Sequence, residues 1–187
     1  MFPMFVFLSL YMQQVLGYSA IRAGLAFLVI AAGMIASSAL AQGLVTKAGA
    51  KLVLTAGLLG LAVAQVLFAR LPVVGHFTAD LLPGFVVVAA ALGLAFVGDV
   101  IASTAGVKPA DAGLASGLIN ASQQIGGAIG LAVATSVAAT RTAALLRAGH
   151  PAAAALAGGF HDTFILTGAL ALAAALVAAT LLGRARS

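Results

Sequence analysis

The chain has 187 residues, of which 63% are hydrophobic and 7% are charged, and its mean hydropathy is +1.20. Soluble domains carry about 25% charged residues, so this composition excludes a soluble protein and indicates an integral membrane protein. The absence of cysteine excludes disulfides and thiolate sites. The net charge of +5 comes from scattered residues, which does not indicate nucleic-acid binding.

Six apolar runs follow one another along the chain, and we interpret each as a membrane-spanning helix. The resulting prediction is an all-α integral membrane protein, a bundle of six transmembrane helices in one domain over residues 1–187. A helix needs about 20 apolar residues to cross a bilayer, and the first run is shorter and begins almost at Met1, so we expect an N-terminal part to be missing. The predicted helices cover residues 2–16, 23–45, 52–69, 81–106, 112–139 and 164–182.

The fourth run carries Asp99, the only charged residue inside a predicted span. A carboxylate within a membrane is costly, and it indicates a proton or ion pathway by default. We therefore predict that Asp99 takes up and releases a proton. The alternative is a water-exposed carboxylate, because Asp99 lies about two turns, or about 11 Å, from Gly106 near the interface.

The fifth run contains glycines that are four residues apart. Such spacing places small residues on one helix face and lets a second helix approach closely, which drives helix association in lipid. We predict that these glycines pack against another helix. They are Gly113, Gly117, Gly126 and Gly130.

The fifth run also carries three amides, Asn120, Gln123 and Gln124, and the first run contributes Gln14. Lipid offers amides no hydrogen bond, so they must face a partner helix or a water-filled cavity. One interpretation is that the four amides line a substrate cavity. The other is that they join helices through hydrogen bonds, each contributing about 0.6–2 kcal/mol.

The longest predicted connection runs from Arg141 to Asp162, and its alanine-rich middle suggests a short interfacial helix. His76, His150 and His161 are predicted to lie in solvated or interfacial loops. An intramembrane enzyme would need a nucleophile with a base, or a metal cluster. No histidine lies in a predicted span, and the chain has no HExxH, P-loop or dinucleotide-binding motif, which argues against an enzyme.

Three segments resemble one known family. They are Tyr11 to Ala20 (YMQQVLGYSA) with Ala23 and Gly24, Asp111 to Leu118 (DAGLASGL) with Gln123 to Ala128 (QQIGGA), and Gly159-Phe160-His161. They resemble the major facilitator superfamily, and most closely its fourteen-helix drug:proton antiporters of the EmrB/QacA type. The resemblance covers the chain as the C-terminal six-helix half of that fold.

The family's cytoplasmic loop motif resembles the segment from Gln42 to Gly49, with Lys51 beyond it. Gly49 would allow the tight turn, and Lys47 and Lys51 would hold the loop at the cytoplasmic interface. Gln42 replaces the first glycine of the motif and Thr46 replaces its acid, so a charge latch through that acid is not expected. The match implies that both termini are cytoplasmic.

The charge distribution agrees only weakly with this orientation. It places five basic residues inside and four outside: Lys47, Lys51, Lys108, Arg184 and Arg186 against Arg22, Arg70, Arg141 and Arg147.

The resemblance implies half of a proton-coupled efflux antiporter in a bacterial inner membrane, working by alternating access. The implied partners are the lipid bilayer, a small amphipathic or cationic substrate, and either the missing N-terminal half or a second half-transporter chain. The proton gradient supplies the energy, and no cofactor or metal is implied. The alternative is an orphan half that acts as a non-transporting membrane interaction subunit.

Overall fold

The computed structural model describes residues 2–104 and 106–181, and it confirms the predicted all-α membrane fold. Within these two ranges, six α-helices form the bundle, and short π-helical or 3-10 turns adjoin three of them. The helices are α1 (Phe2–Leu10, followed by the π-helical turn Tyr11–Val15), α2 (Ala20–Ala48), α3 (Ala50–Phe68), α4 (Leu82–Thr104, preceded by the π-helical turn Phe77–Leu81), α5 (Ala112–Arg147, preceded by the 3-10 turn Pro109–Asp111) and α6 (Ala152–Leu181).

Five of these helices, α2 to α6, are long and apolar enough to cross a membrane. The apolar segment Phe2–Val15 is shorter than a full span. Helix α3 has 19 residues, which is about 28 Å at the helical rise per residue. Its length therefore matches the bilayer hydrocarbon thickness of about 30 Å.

The predicted boundaries of α5 and α6 are wrong at the connection between them. The predicted loop from Arg141 to Asp162 shortens to residues 148–151, because α5 continues to Arg147 and α6 begins at Ala152. Its alanine-rich middle forms the start of α6 rather than a separate interfacial helix. Alanine has the highest helix propensity, so the helices extend beyond the apolar runs that hydropathy can identify.

Helix α4 lies at the centre of the tightest packing. Helices α2 and α3 both pack against it, α6 packs against α3, and α5 packs against α6. A Cβ added at Gly98 of α4 would lie 2.7 Å from the backbone nitrogen of Leu54 in α3. Glycine thus lets the α3 and α4 backbones come nearly into contact, as close packing in lipid requires.

The bundle has two distinct ends. The end that we call the lysine end carries Lys47, Lys51 and Lys108 and includes the single-residue connection Gly49 between α2 and α3. The opposite end, the loop end, includes the α3–α4 connection and the α5–α6 turn. Helix α1 closes the bundle there, since Tyr11 is fully buried and its hydroxyl donates to the carbonyl of Pro72 at 2.5 Å.

Candidate functional site

The structure brings together two of the predicted site residues, Asp99 of α4 and Gln123 of α5. Gln123 Nε2 donates to Asp99 Oδ2 at 3.3 Å. Asp99 is half-buried and Gln123 is exposed, and the two helices otherwise barely touch. The pair therefore forms the main polar link between α4 and the first half of α5.

The other two amides of α5 lie on an exposed surface. Asn120 Nδ2 donates to the carbonyl of Ser116 in its own helix at 3.1 Å, and the side chain of Gln124 is exposed. Apolar neighbours are equally uncovered, since Leu114 is 77% exposed and Leu118 is 68% exposed. The first half of α5 thus presents a mixed polar and apolar face that the described part of the chain leaves uncovered.

Gln14 does not lie beside the amides of α5. It is exposed in the π-helical turn Tyr11–Val15 at the loop end. Asp99 lies only five residues before the end of α4 at Thr104, near the lysine end. A cavity that included Gln14 and Asp99 would therefore have to extend along most of the bundle, and the role of Gln14 stays a prediction.

Three of the four predicted packing glycines of α5 have no neighbour from another helix within the described residues, and the fourth, Gly130, meets only the start of α1. A Cβ added at Gly113, Gly117 or Gly126 would have no atom within 4 Å, and one added at Gly130 would reach only Pro3 at 3.8 Å. The prediction that these glycines receive a partner helix therefore needs a helix from outside this bundle.

At the lysine end, the predicted six-residue connection from Thr46 to Lys51 is almost entirely helical. Gly49 alone separates α2 from α3, and its φ of 83° is a conformation that favours glycine. Lys47 is exposed in the last turn of α2, and Lys51 is half-buried in the first turn of α3. The two lysines flank the Gly49 connection at the lysine end of the bundle.

The structure also shows polar contacts that the sequence did not reveal. His161 lies in α6, not in the predicted loop, and its Nε2 donates to the carbonyl of Leu71 at 2.7 Å. Arg141 and Asp162 join α5 to α6 through an ion pair, with 3.4 Å between Nε and Oδ2. Both contacts depend on helix extensions that hydropathy does not detect. The alanine-rich composition of residues 152–157 could have predicted that α6 begins there.

Comparison with known proteins places this bundle in a family of transporters. The family model described as Major Facilitator Superfamily matches residues 1–131. The puromycin resistance protein pur8 of Streptomyces alboniger is 31% identical over 97% of this chain. The cephamycin export protein CmcT of Amycolatopsis lactamdurans is 36% identical over 99% of it, and the lincomycin resistance protein of Streptomyces lincolnensis is 34% identical over 71%.

The chain spans about 37% of the length of the first two relatives and 27% of the third. The family match covers all the residues from α1 through the exposed amide face of α5, including Asp99 and Gln123. With its multi-pass apolar helices and this match, the chain belongs to the Major Facilitator Superfamily.

Proposed function

We propose that the chain forms one of the two helix bundles of a proton-coupled efflux antiporter. Its substrates would be small amphipathic or cationic molecules, and the proton gradient would supply the energy without a cofactor. The names of the relatives support this proposal, since they are resistance or export proteins. They also favour a transporter over an enzyme and over a non-transporting subunit.

The hydrogen bond between Asp99 and Gln123 is the observation that carries the coupling proposal. An ionised Asp99 can accept the hydrogen bond that the Gln123 amide donates, since Gln123 Nε2 and Asp99 Oδ2 are 3.3 Å apart. A protonated Asp99 carboxyl group has an O–H that can itself donate a hydrogen bond. Uptake of a proton would therefore let Asp99 donate to the Gln123 amide instead of only accepting from it. Because α4 and α5 hardly touch elsewhere, this exchange would alter how tightly the first half of α5 is held to α4.

The exposed face of α5 supports a second bundle as the partner. In this superfold the substrate site lies near the bilayer midplane, between two pseudo-symmetric halves. The uncovered glycines of α5 would receive a helix of that second bundle, and Asn120, Gln123 and Gln124 would line one wall of the cavity. The second bundle would be an N-terminal transporter half or a second half-transporter chain.

We also propose the orientation and the membrane. Lys47, Lys51 and Lys108 all lie at one end of the bundle, and basic residues near the ends of spans favour the cytoplasmic side. The lysine end would therefore face the cytoplasm, with both termini on that side. The organisms of the relatives support a bacterial cytoplasmic membrane.

Transport in inverted membrane vesicles tests the coupling role of Asp99. The chain is co-expressed with the N-terminal part of the cephamycin export protein, and proton-driven uptake of a fluorescent cationic dye is measured. We expect Asp99→Asn to reduce this uptake at least about tenfold, which corresponds to about 1.4 kcal/mol. Asp111→Asn is the matched control, because Asp111 is an exposed carboxylate at the same end of the bundle.

Equal uptake by Asp99→Asn and the unchanged chain would refute the coupling role. If the unchanged chain supports no uptake with any N-terminal bundle of its relatives, although it inserts in the membrane, the non-transporting subunit becomes the better interpretation.

A further inference from the structure

A second polar site lies at the loop end, on the surface where α5 and α6 meet. The Arg141 and Asp162 side chains pair there, yet they remain 50% and 42% exposed. They border a groove of about 410 Å³ that also includes hydroxyl groups. The groove is lined by Ser136, Val137, Thr140, Arg141, Ala144 and Asp162.

The depth of this groove can be inferred from the neighbouring helix. His161 precedes Asp162 and bonds to the carbonyl of Leu71, three residues beyond the end of α3 at Phe68. Since the length of α3 matches the hydrocarbon thickness, Leu71 lies at the membrane boundary. We therefore expect the ion pair at the level of the lipid headgroups, in the leaflet opposite the lysine end.

Two exposed apolar ridges run from the groove toward the lysine end. On α5, Val133 and Ile129 precede Val137 at four-residue intervals and are 46% and 60% exposed. On α6, Ile165 follows Asp162 by three residues and is 61% exposed, with Leu172 on the same face at 46%. Both ridges start beside the charges, so the site is charged at headgroup level and apolar at the level of the acyl chains.

We propose that this site binds a zwitterionic phospholipid whose headgroup carries a primary ammonium, as phosphatidylethanolamine does. The Arg141 guanidinium would donate to the phosphate, which it matches in geometry, and the Ser136 and Thr140 hydroxyls would add donors. The Asp162 carboxylate would accept from the ammonium. An ion pair that is about half exposed contributes little to stability, so exchanging it for headgroup contacts costs little. This proposal does not depend on the transport function.

Native mass spectrometry of the full chain in detergent tests the proposal. The chain is mixed with equal amounts of phosphatidylethanolamine, phosphatidylcholine and phosphatidylglycerol that have identical acyl chains. We expect at least about fivefold preferential retention of phosphatidylethanolamine over phosphatidylcholine, because a trimethylammonium group cannot donate the charge-assisted hydrogen bond to Asp162. This comparison uses only the unchanged chain, so it remains decisive even if a variant fails to fold.

Variants then assign the contacts to residues. Asp162→Asn should remove the preference for phosphatidylethanolamine over phosphatidylcholine but retain phosphatidylglycerol, and Arg141→Gln should reduce retention of all three lipids. Arg147→Gln is the matched control, because Arg147 is exposed in the last turn of α5 and does not line the groove. It should leave retention unchanged.

Three results would overturn the proposal. The first is equal retention of phosphatidylethanolamine and phosphatidylcholine by the unchanged chain, which would mean that the ion pair only fastens α5 to α6. The second is an equal effect of Arg147→Gln and Arg141→Gln. The third is binding of free phosphoethanolamine as tightly as the lipid, since the apolar ridges would then contribute nothing.

Discussion

Glycines at helical spacing occur in the α2–α3–α4 core and again in the first half of α5, with different surroundings. In the core, a Cβ added at Gly57 would lie 2.4 Å from the backbone nitrogen of Ala95. In α5, a Cβ added at Gly117 would have nothing within 4 Å. A pattern of small residues therefore indicates that some helix approaches closely, but it does not identify that helix.

The largest contrast should appear in the stability of the chain alone. Gly57→Val places a side chain against the Ala95 backbone, which cannot move aside as a flexible side chain would. Overpacking of this kind costs about 1–3 kcal/mol or more, so we expect a large fall in the unfolding temperature, or loss of the fold. Thermal unfolding followed by circular dichroism in detergent measures it.

Gly117→Val is the matched control. It changes the helix propensity in the same way as Gly57→Val, but at Gly117 no atom lies within 4 Å of an added Cβ. A similar fall in unfolding temperature for both variants would mean that the contrast between the two regions is wrong.

The second effect should appear only when a second bundle is present. Gly117→Leu would block the helix that we propose to pack on α5, so dye uptake in the co-expression assay should fall about tenfold, as expected when close helix packing is lost. The unfolding temperature of the chain alone should not change. Ala173→Leu adds bulk to an exposed face of α6 and is the control. Normal uptake by Gly117→Leu would place the second bundle elsewhere.

Cysteine labelling distinguishes a wet face from a lipid-covered one. The chain has no cysteine, so single cysteines introduced as Asn120→Cys and Gln124→Cys would be the only residues that a maleimide labels. Thiols react as thiolates, which form in water, and we expect both positions to react with a water-soluble maleimide about tenfold faster than a lipid-facing control. The control is Val63→Cys on α3, where the native side chain is 54% exposed. Equal, slow labelling at all three positions would argue against a wet cavity.

The smallest effect concerns the packed second half of α5. Thr163 is buried in α6, and its Oγ1 donates to the carbonyl of Ala134 in α5 at 3.2 Å. Thr163→Val should therefore lower the free energy of unfolding by about 0.6–2 kcal/mol. Thr180→Val is the control, because exposed Thr180 bonds only to carbonyls of its own helix. Equal losses in chemical unfolding would show that the α5–α6 hydrogen bond contributes nothing.

Much of the fold was predictable from local sequence features. Apolar runs located the helices, and a glycine in the Thr46–Lys51 segment suggested the turn that Gly49 makes at φ 83°. The end of α5 and the start of α6 were not predictable in this way, because alanine-rich helix continues where hydropathy falls. The misplacement of His161 in a loop follows from that error, and so does the failure to foresee the Arg141–Asp162 pair.

The candidate site was predictable in its residue types but not in its geometry. Asp99 and Gln123 stood out because charged and amide side chains are costly in lipid. Their contact depends on how α4 and α5 cross, which is a property of the packed bundle. In the same way, the glycine stripe of α5 was visible in the sequence, but only the structure shows that its face is uncovered within the described residues.

That this chain is a helical membrane protein, and roughly where each helix lies, follows from the amino-acid sequence alone. In lipid, the backbone N–H and C=O groups must form their hydrogen bonds within each helix. The composition and length of each apolar run are therefore enough to locate a helix. Which helices touch is visible only in the packed bundle. Lipid is as apolar as the helix surfaces, so burial does not select a partner, and the choice depends on the detailed fit of small residues and hydrogen bonds.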